Sequence, residues 1–516
     1  MNWYNNAIFY HIYPLGMLGC EKQNTDGQVK HRLLNLKPWI DYLHKNGFNA
    51  LYIGPLFKSE GHGYETTDYR TLDNRLGDND DLKEFVKYCH TKKIKVIFDA
   101  VLNHTGRSFF AFEDILQNRE NSRYKDWYNV NFYGNNSYND HLSYENWGGF
   151  DLLVKLNNKN PEVRKYLTET VKYWADEFDI DGIRIDAADV LDFALMEDLR
   201  NNLPKPDFFL LGEVIHGEYS NWVNPQRLDS LTNYHLYKAL YSGLNEHNFF
   251  EIAHTINRQT NISKLYNFID NHDVERITTR LNNKQDYKLV STLLFTLPGI
   301  PSIYYGSELG IEGHKHKNGS DDEIRPAIDI KETIKASKNS PYLEIIKTLT
   351  KLRLNNTVLN MGDYRQSELT TSFYSYIRSY DGIEIFICLN NDDHSSHNFH
   401  FDSENYIDIF TGKAYSYEIN IEPHDCAVLI PADTKMDIKP LKKEIEKPVI
   451  KKEEAAKPDS SFIEVNKPYE QMDIKELQDA ILAKMAKNGP VTDQMLKSVR
   501  ENIYHDSLIN WVKSFR

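Results

Sequence analysis

The chain has 516 residues, 40% hydrophobic and 26% charged, and 61 basic against 75 acidic side chains leave a net charge of −14. That length suggests roughly three domains of about 150 residues, enough to bury a large core without disulfide or metal staples. The acidic balance argues against a nucleic-acid partner, no apolar run is long enough for a membrane-spanning helix, and the N-terminus lacks a basic-then-apolar leader, so a cytoplasmic protein is expected.

From Ala7 to Tyr305 short apolar runs alternate with helix-like stretches. Strands are predicted at residues 7–13, 50–53, 96–102, 182–186, 208–212, 231–234, 265–270 and 300–304. Amphipathic helices are predicted at 80–91, where Leu82, Phe85, Val86 and Cys89 share a face, and at 161–178, where Val163, Leu167, Val171 and Trp174 do. This alternation implies parallel βα units, and eight strands over about 300 residues fit a closed barrel. The expected fold class is α/β: a (β/α)8 TIM barrel of residues 1–104 and 161–350, with an inserted domain at 105–160 after the third strand. The insertion carries twelve aromatics from Phe109 to Phe150, among them Trp127, Tyr128, Tyr144 and Trp147. Any one of them reads first as packing, although an insertion there overhangs the face where barrel active sites lie.

Residues 351–431 are expected to form a C-terminal antiparallel β domain, because period-two alternation sets in at 372–378 and 384–389. Residues 432–467 turn to Lys, Glu and Pro and read as a disordered linker. A helical tail at 468–516 follows. Ile474, Leu477, Ile481 and Met485 share one face, Asn488-Gly489-Pro490 stops that helix, and Thr492 caps a second with Met495, Val499 and Ile503. Leu508, Trp511, Val512 and Phe515 form a third cluster. Faces this small pack on one another, on the barrel, on another protein or on a second copy, so a homo-oligomer through the tail is one expected arrangement. Cys20, Cys89, Cys388 and Cys426 are widely spaced and read as reduced thiols.

Four predicted strands end in polar clusters: Asp99 to His104, Arg184 to Asp186, Glu213 to His216, and Asp270 to Asp273. In a barrel these ends converge on one pocket. Arg184 and Asp186 stand two apart on a strand and share a face, which places the guanidinium to hold the carboxylate. Carboxylates with an Arg and two His suit acid/base and nucleophilic work on a glycosidic bond. No Gly-x-Ser-x-Gly, His-Glu-x-x-His, phosphate loop or Gly-x-Gly-x-x-Gly competes.

With these motifs the chain, over about residues 3–431, resembles the α-amylase family of glycoside hydrolases. The carriers are Phe9-Tyr-His-Ile-Tyr-Pro14, His62-Gly-Tyr64-Glu-Thr-Thr-Asp68-Tyr69, the four strand-end clusters and Pro298-Gly-Ile-Pro-Ser-Ile-Tyr-Tyr-Gly306, in the family's order. The resemblance implies Asp186 as nucleophile, Glu213 as general acid/base and Asp273 as transition-state stabiliser. It implies that Arg184 orients Asp186, that His104, His272 and His216 contact substrate, and that Tyr64 stacks under the sugar. A raised Glu213 and an ionised Asp186 are expected with these roles.

The basic pair that many secreted relatives carry after the nucleophile is replaced by Asp189 and Val190. The likeness is closer to intracellular maltodextrin-degrading members of the neopullulanase, cyclomaltodextrinase and α-glucosidase types, without their usual N-terminal β domain. Asn103 matches a calcium-ligating position of some relatives, but no partner set is readable, so no metal or cofactor is expected. The implied activity is retaining hydrolysis of α-1,4 bonds in maltodextrins. The alternatives are transglycosylation with the same triad or a non-catalytic glucan-binding scaffold.

Overall fold

The computed structural model describes residues 2–25, 27–316, 320–434, 439–441, 445, 474–488 and 499. Residues 1–447 form one compact unit and 448–516 a second.

Eight parallel strands make the first unit's central sheet: β1 (Phe9–Ile12), β2 (Ala50–Ile53), β3 (Lys95–Ala100), β4 (Gly182–Ile185), β5 (Phe209–Gly212), β6 (Ser230–Leu231), β7 (Tyr266–Phe268) and β8 (Ile300–Tyr304). They run in the order β6-β5-β4-β3-β2-β1-β8-β7. A parallel bridge between Thr232 and Tyr266 joins the two ends, and the Asn233 N–H donates to the Tyr266 carbonyl at 2.9 Å. The sheet is therefore a barrel, in sequence order, as the alternating pattern implied. Strand bounds moved by a few residues. The predicted third strand stops at Ala100, and the sixth stops at Leu231, because Tyr234 opens the helix Tyr234–Asn245.

Period-two alternation sorts the side chains into two layers. Phe9, Ala50, Tyr52, Ile97, Phe209, Leu211, Tyr266, Phe268 and Ile300 fill the barrel interior. Tyr10, Leu51, Phe98, Ile183, Leu210 and Ile303 face outward and pack with the helices. Full burial of each large apolar side chain stabilises by about 1.5–3 kcal/mol. Gly182 takes an interior position where a Cβ would lie 2.4 Å from the Phe209 carbonyl oxygen, so β4 and β5 approach only with glycine there. The predicted helices stand at Asn79–Thr91, opened by an Asp78–Asp81 capping box, and at Pro161–Phe178, capped by Asn160 with Pro161 in its first turn.

After β3 the chain enters the insertion. His104–Thr105 pairs antiparallel with Phe150–Lys155, which also pairs with Asn146–Trp147. Phe112, Trp127 and Tyr128 are buried, whereas Tyr133, Tyr138, Trp147 and Phe150 remain exposed. After the helix Pro341–Leu354 comes an antiparallel sheet built of Asp363–Leu369, Phe373–Tyr380, Ile383–Asn390, Asp425–Pro431, Tyr406–Asp408 and Ala414–Tyr415, in that order. A separate pair, His397–His400 with Glu418–Ile421, completes the β layer.

In the second unit the helix Ile474–Asn488 ends at the residue where Asn-Gly-Pro was read as a stop, and Leu477 and Ile481 on its expected face are buried. Apart from Val499, the second and third predicted tail segments lie outside the described residues, as does most of the linker. Among the described residues no helix is long and apolar enough to cross a membrane.

Candidate active site

The strand ends carry the pocket because the ladder runs one residue past them. The Asp186 N–H donates to the Ala100 carbonyl at 3.0 Å, and the Glu213 N–H to the Ile185 carbonyl at 2.9 Å. Ile97 and Asp99, Gly182, Arg184 and Asp186, and Leu211 and Glu213 thus continue the inward-facing rows.

Arg184 is the hub. One terminal nitrogen bonds Asp99 Oδ1 and Asp186 Oδ1, both at 2.8 Å, and the other bonds Glu213 Oε1 at 2.6 Å. All four groups are buried. The phenol of Tyr52 donates to Asp99 Oδ2 at 2.9 Å and that of Tyr64 at 3.0 Å. Tyr64 also bonds His272 Nε2, and the two rings stack with centroids 5.6 Å apart. Glu213 accepts from the Tyr234 hydroxyl at 3.1 Å and from the Ala187 N–H at 3.1 Å. Ala187 is held at φ 46, a left-handed conformation unusual for alanine, and its N–H reaches Glu213 from that turn.

Asp273 stands five residues past β7 and is the more open carboxylate. Its Oδ1 pairs with Arg325 at 2.9 Å and its Oδ2 lies 3.0 Å from His272 Nε2. Arg325 Nε donates to the His272 carbonyl at 2.8 Å, and its guanidinium covers the Tyr13 ring.

Desolvation by the pocket walls works to raise the Asp273 carboxyl, but His272 and Arg325 outweigh it and hold it well below the usual carboxylate range. Asp186 departs from expectation. Burial pushes its carboxyl well above the ordinary value; Arg184 opposes this, and Glu213, Asp99 and Asp273 reinforce it. A single guanidinium faces three carboxylates at close range here, so its charge does not offset theirs. Burial also lowers the His104 imidazole to about 4, so that it is neutral at pH 7.

Asp186, Glu213, Arg184, Tyr64, His272 and Asp273 are therefore one connected constellation. His104 lies on the insertion side of the pocket, buried, with Nε2 unpartnered. His216 does not join them. It is exposed beyond β5, next to Gly217 at φ 117, and acts electrostatically on Asp189. Sequence reading missed Tyr52, Tyr234 and Arg325. Period-two alternation on β2 would have found Tyr52. No local signal marks Arg325, which sits in the charged loop after β8. Asn103 Oδ1 is buried and unpartnered. Among the described residues the one convergent group of three metal-type ligands is His31, Asp78 and Asp81, and its two aspartates form a helix cap.

A barrel whose strand ends gather three carboxylates around a buried arginine has the equipment of a glycosidase. The chain belongs to the α-amylase family: residues 23–342 match the family described as "Alpha amylase, catalytic domain". It is thus an α-amylase-family glycosidase, a hydrolase of O-glycosyl bonds. A cyclomaltodextrinase of Thermoanaerobacter pseudethanolicus is 32% identical over 75% of this chain and 71% of its own. An intracellular maltogenic amylase of Bacillus subtilis is 28% identical over 73% of this chain and 67% of its own. Among solved structures, the type III pullulan hydrolase from Thermococcus kodakarensis superposes with a TM-score of 0.72 at 26% identity, covering 83% of each chain.

Proposed function

We propose that this protein is a retaining hydrolase of α-1,4 bonds in short α-glucans such as maltodextrins, working in the cytoplasm. The observation that carries this is the Arg184 fork, which binds Asp186 at one terminal nitrogen and Glu213 at the other. Two carboxyls tied to one guanidinium are held as neighbours in one pocket, which supports a nucleophile and an acid acting on the same bond. The names of the relatives, cyclomaltodextrinase and maltogenic amylase, support the substrate class.

In this reading Asp186 attacks the anomeric carbon while Glu213 protonates the departing glycosidic oxygen. Glu213 then takes a proton from water, which opens the glycosyl ester with a second inversion. Asp273, kept ionised by His272 and Arg325, binds sugar hydroxyls and stabilises the positive charge that develops at the ring. Tyr64 supplies the stacking surface, and His104 and His272 bond hydroxyls. Arg184 is a positioning residue. His216, exposed beyond β5, stands outside the hydrogen-bonded constellation and is given no step. Val190 and Ile215 are exposed beside it, an apolar rim in place of the basic pair of starch-degrading relatives.

The test is product analysis on a maltooligosaccharide series and cyclodextrins. Fresh product should be the α-anomer by NMR before mutarotation; β-anomer appearing first rules out double displacement. Because Asp186 attacks only when ionised and its carboxyl is raised, the acid limb of kcat/KM is expected above the ordinary aspartate value of about 3.9. A pH–rate profile flat down to that value would show Asp186 ionised in the free enzyme. Side chains fill every step of this reaction, so prolonged chelation is expected to leave activity mostly unchanged. A loss restored by calcium would overturn that.

A further inference from the structure

We propose that Trp147 and Phe150 form an aromatic platform that binds an α-glucan residue adjoining the one held for cleavage, and so sets a preference for longer chains. This rests on the α-glucan reading above.

The two residues are register partners across the tip of the Asn146–Trp147 and Phe150–Lys155 hairpin, with the Phe150 ring lying beside Gly148. Gly148 and Gly149 between them have φ 64 and φ 84, the two left-handed residues that a tight hairpin turn requires. The tip is rigidly held. Asp151 accepts from Asn146 Nδ2 at 2.8 Å and from the Ser137 hydroxyl at 2.7 Å, and the Gly149 N–H donates to Asn146 Oδ1 at 3.1 Å.

Trp147 is nevertheless 39% exposed and Phe150 61% exposed, although the same insertion buries Phe112, Trp127 and Tyr128. Large aromatics held open on a rigid turn present a preorganised apolar face, which suits the C–H face of a sugar ring at little entropic cost.

The hairpin is also tied to the pocket. Lys155 pairs with His104 across the ladder. The Trp147 ring stands 5.9 Å from the His104 ring. His104 is 1% exposed and its Nε2 has no partner, so a buried polar atom awaits a hydroxyl beside the exposed indole. A glucose unit bonded to that nitrogen would continue as a chain onto the platform.

The experiment compares full-length wild type, Trp147→Ala, Trp147→Phe and Phe150→Ala on maltotriose and maltohexaose. Trp147→Ala should raise KM about tenfold for maltohexaose and about twofold for maltotriose, with kcat changed less. Trp147→Phe should recover most of that loss. Calorimetry on Asp186→Asn protein should show the same chain-length-dependent weakening when Trp147→Ala is added, which separates binding from turnover. Phe150→Ala truncates an exposed tip and should raise KM for maltohexaose about threefold; it carries the test if Trp147→Ala misfolds. Equal losses on both substrates, or none, would overturn the platform. A wild type that neither binds nor cleaves any maltooligosaccharide would instead overturn the proposed function itself.

Discussion

Asp186→Asn is expected to lower kcat on maltotriose by a factor on the order of 10³–10⁶ and at the same time to raise the melting temperature at neutral pH. The loss follows from chemistry, since the amide keeps the shape of the carboxylate but cannot form the glycosyl ester. The gain follows from electrostatics. Asp186 is buried and shares Arg184 with Asp99 and Glu213. Its folded value lies above its unfolded value, so between the two the folded state binds more protons, and ionising Asp186 destabilises the fold as pH rises. A neutral amide escapes that cost and can still accept the Arg184 hydrogen bond. The stabilisation should be a few degrees at pH 7 and fade as pH falls towards about 4, the unfolded aspartate value. Glu213→Gln should match the loss of turnover on unactivated glucans, because it removes the transferable proton. Either variant retaining a tenth of wild-type kcat would remove that residue from its role. A melting temperature that drops in Asp186→Asn at pH 7 would show that its charge stabilises the pocket.

Arg184→Met is expected to do the opposite to stability while also abolishing activity. The guanidinium is buried and bonds three buried carboxylates. Removing it leaves those charges facing one another with no cation of their own, a class of change that costs about 3–5 kcal/mol. The penalty should be larger at pH 7 than at pH 5, because the abandoned carboxyls can relieve it by taking up protons. Arg184→Lys should recover only part, since an ammonium is a point charge and lacks the planar fork that reaches three partners. Urea melts at both pH values measure this. Unchanged stability in Arg184→Met would mean that the carboxylates are held by their tyrosine and backbone donors alone.

Much of this molecule is set by local pattern. Apolar runs separated by amphipathic stretches yield strands and helices in alternation, and parallel strands joined by helices have few ways to close. The strand order therefore followed from the sequence, while strand ends such as Ala100 and Leu231 did not, because ends depend on what the next segment packs against. Arg184 and Asp186 were legible as a pair because side chains two apart on a strand share a face. Asp99 and Glu213 lie on the same inward rows, and so they arrived at the same guanidinium.

That periodicity holds only while the ladder does. Past Glu213 it lapses, and His216 turns out to solvent instead of into the pocket. Asp273 lies even farther outside its strand, yet Arg325 and His272 draw it in. Tyr234 reaches Glu213 from the start of a helix. The protonation bias at Asp186 also belongs to the assembled pocket, for it sums burial and four neighbouring charges drawn from separate strands and loops. The sequence by itself determined which residues could meet, because period-two faces and parallel order are local rules. Tertiary structure alone decided which charges share a low-dielectric space, because Coulomb energies and desolvation depend on distances between segments that no local rule brings together.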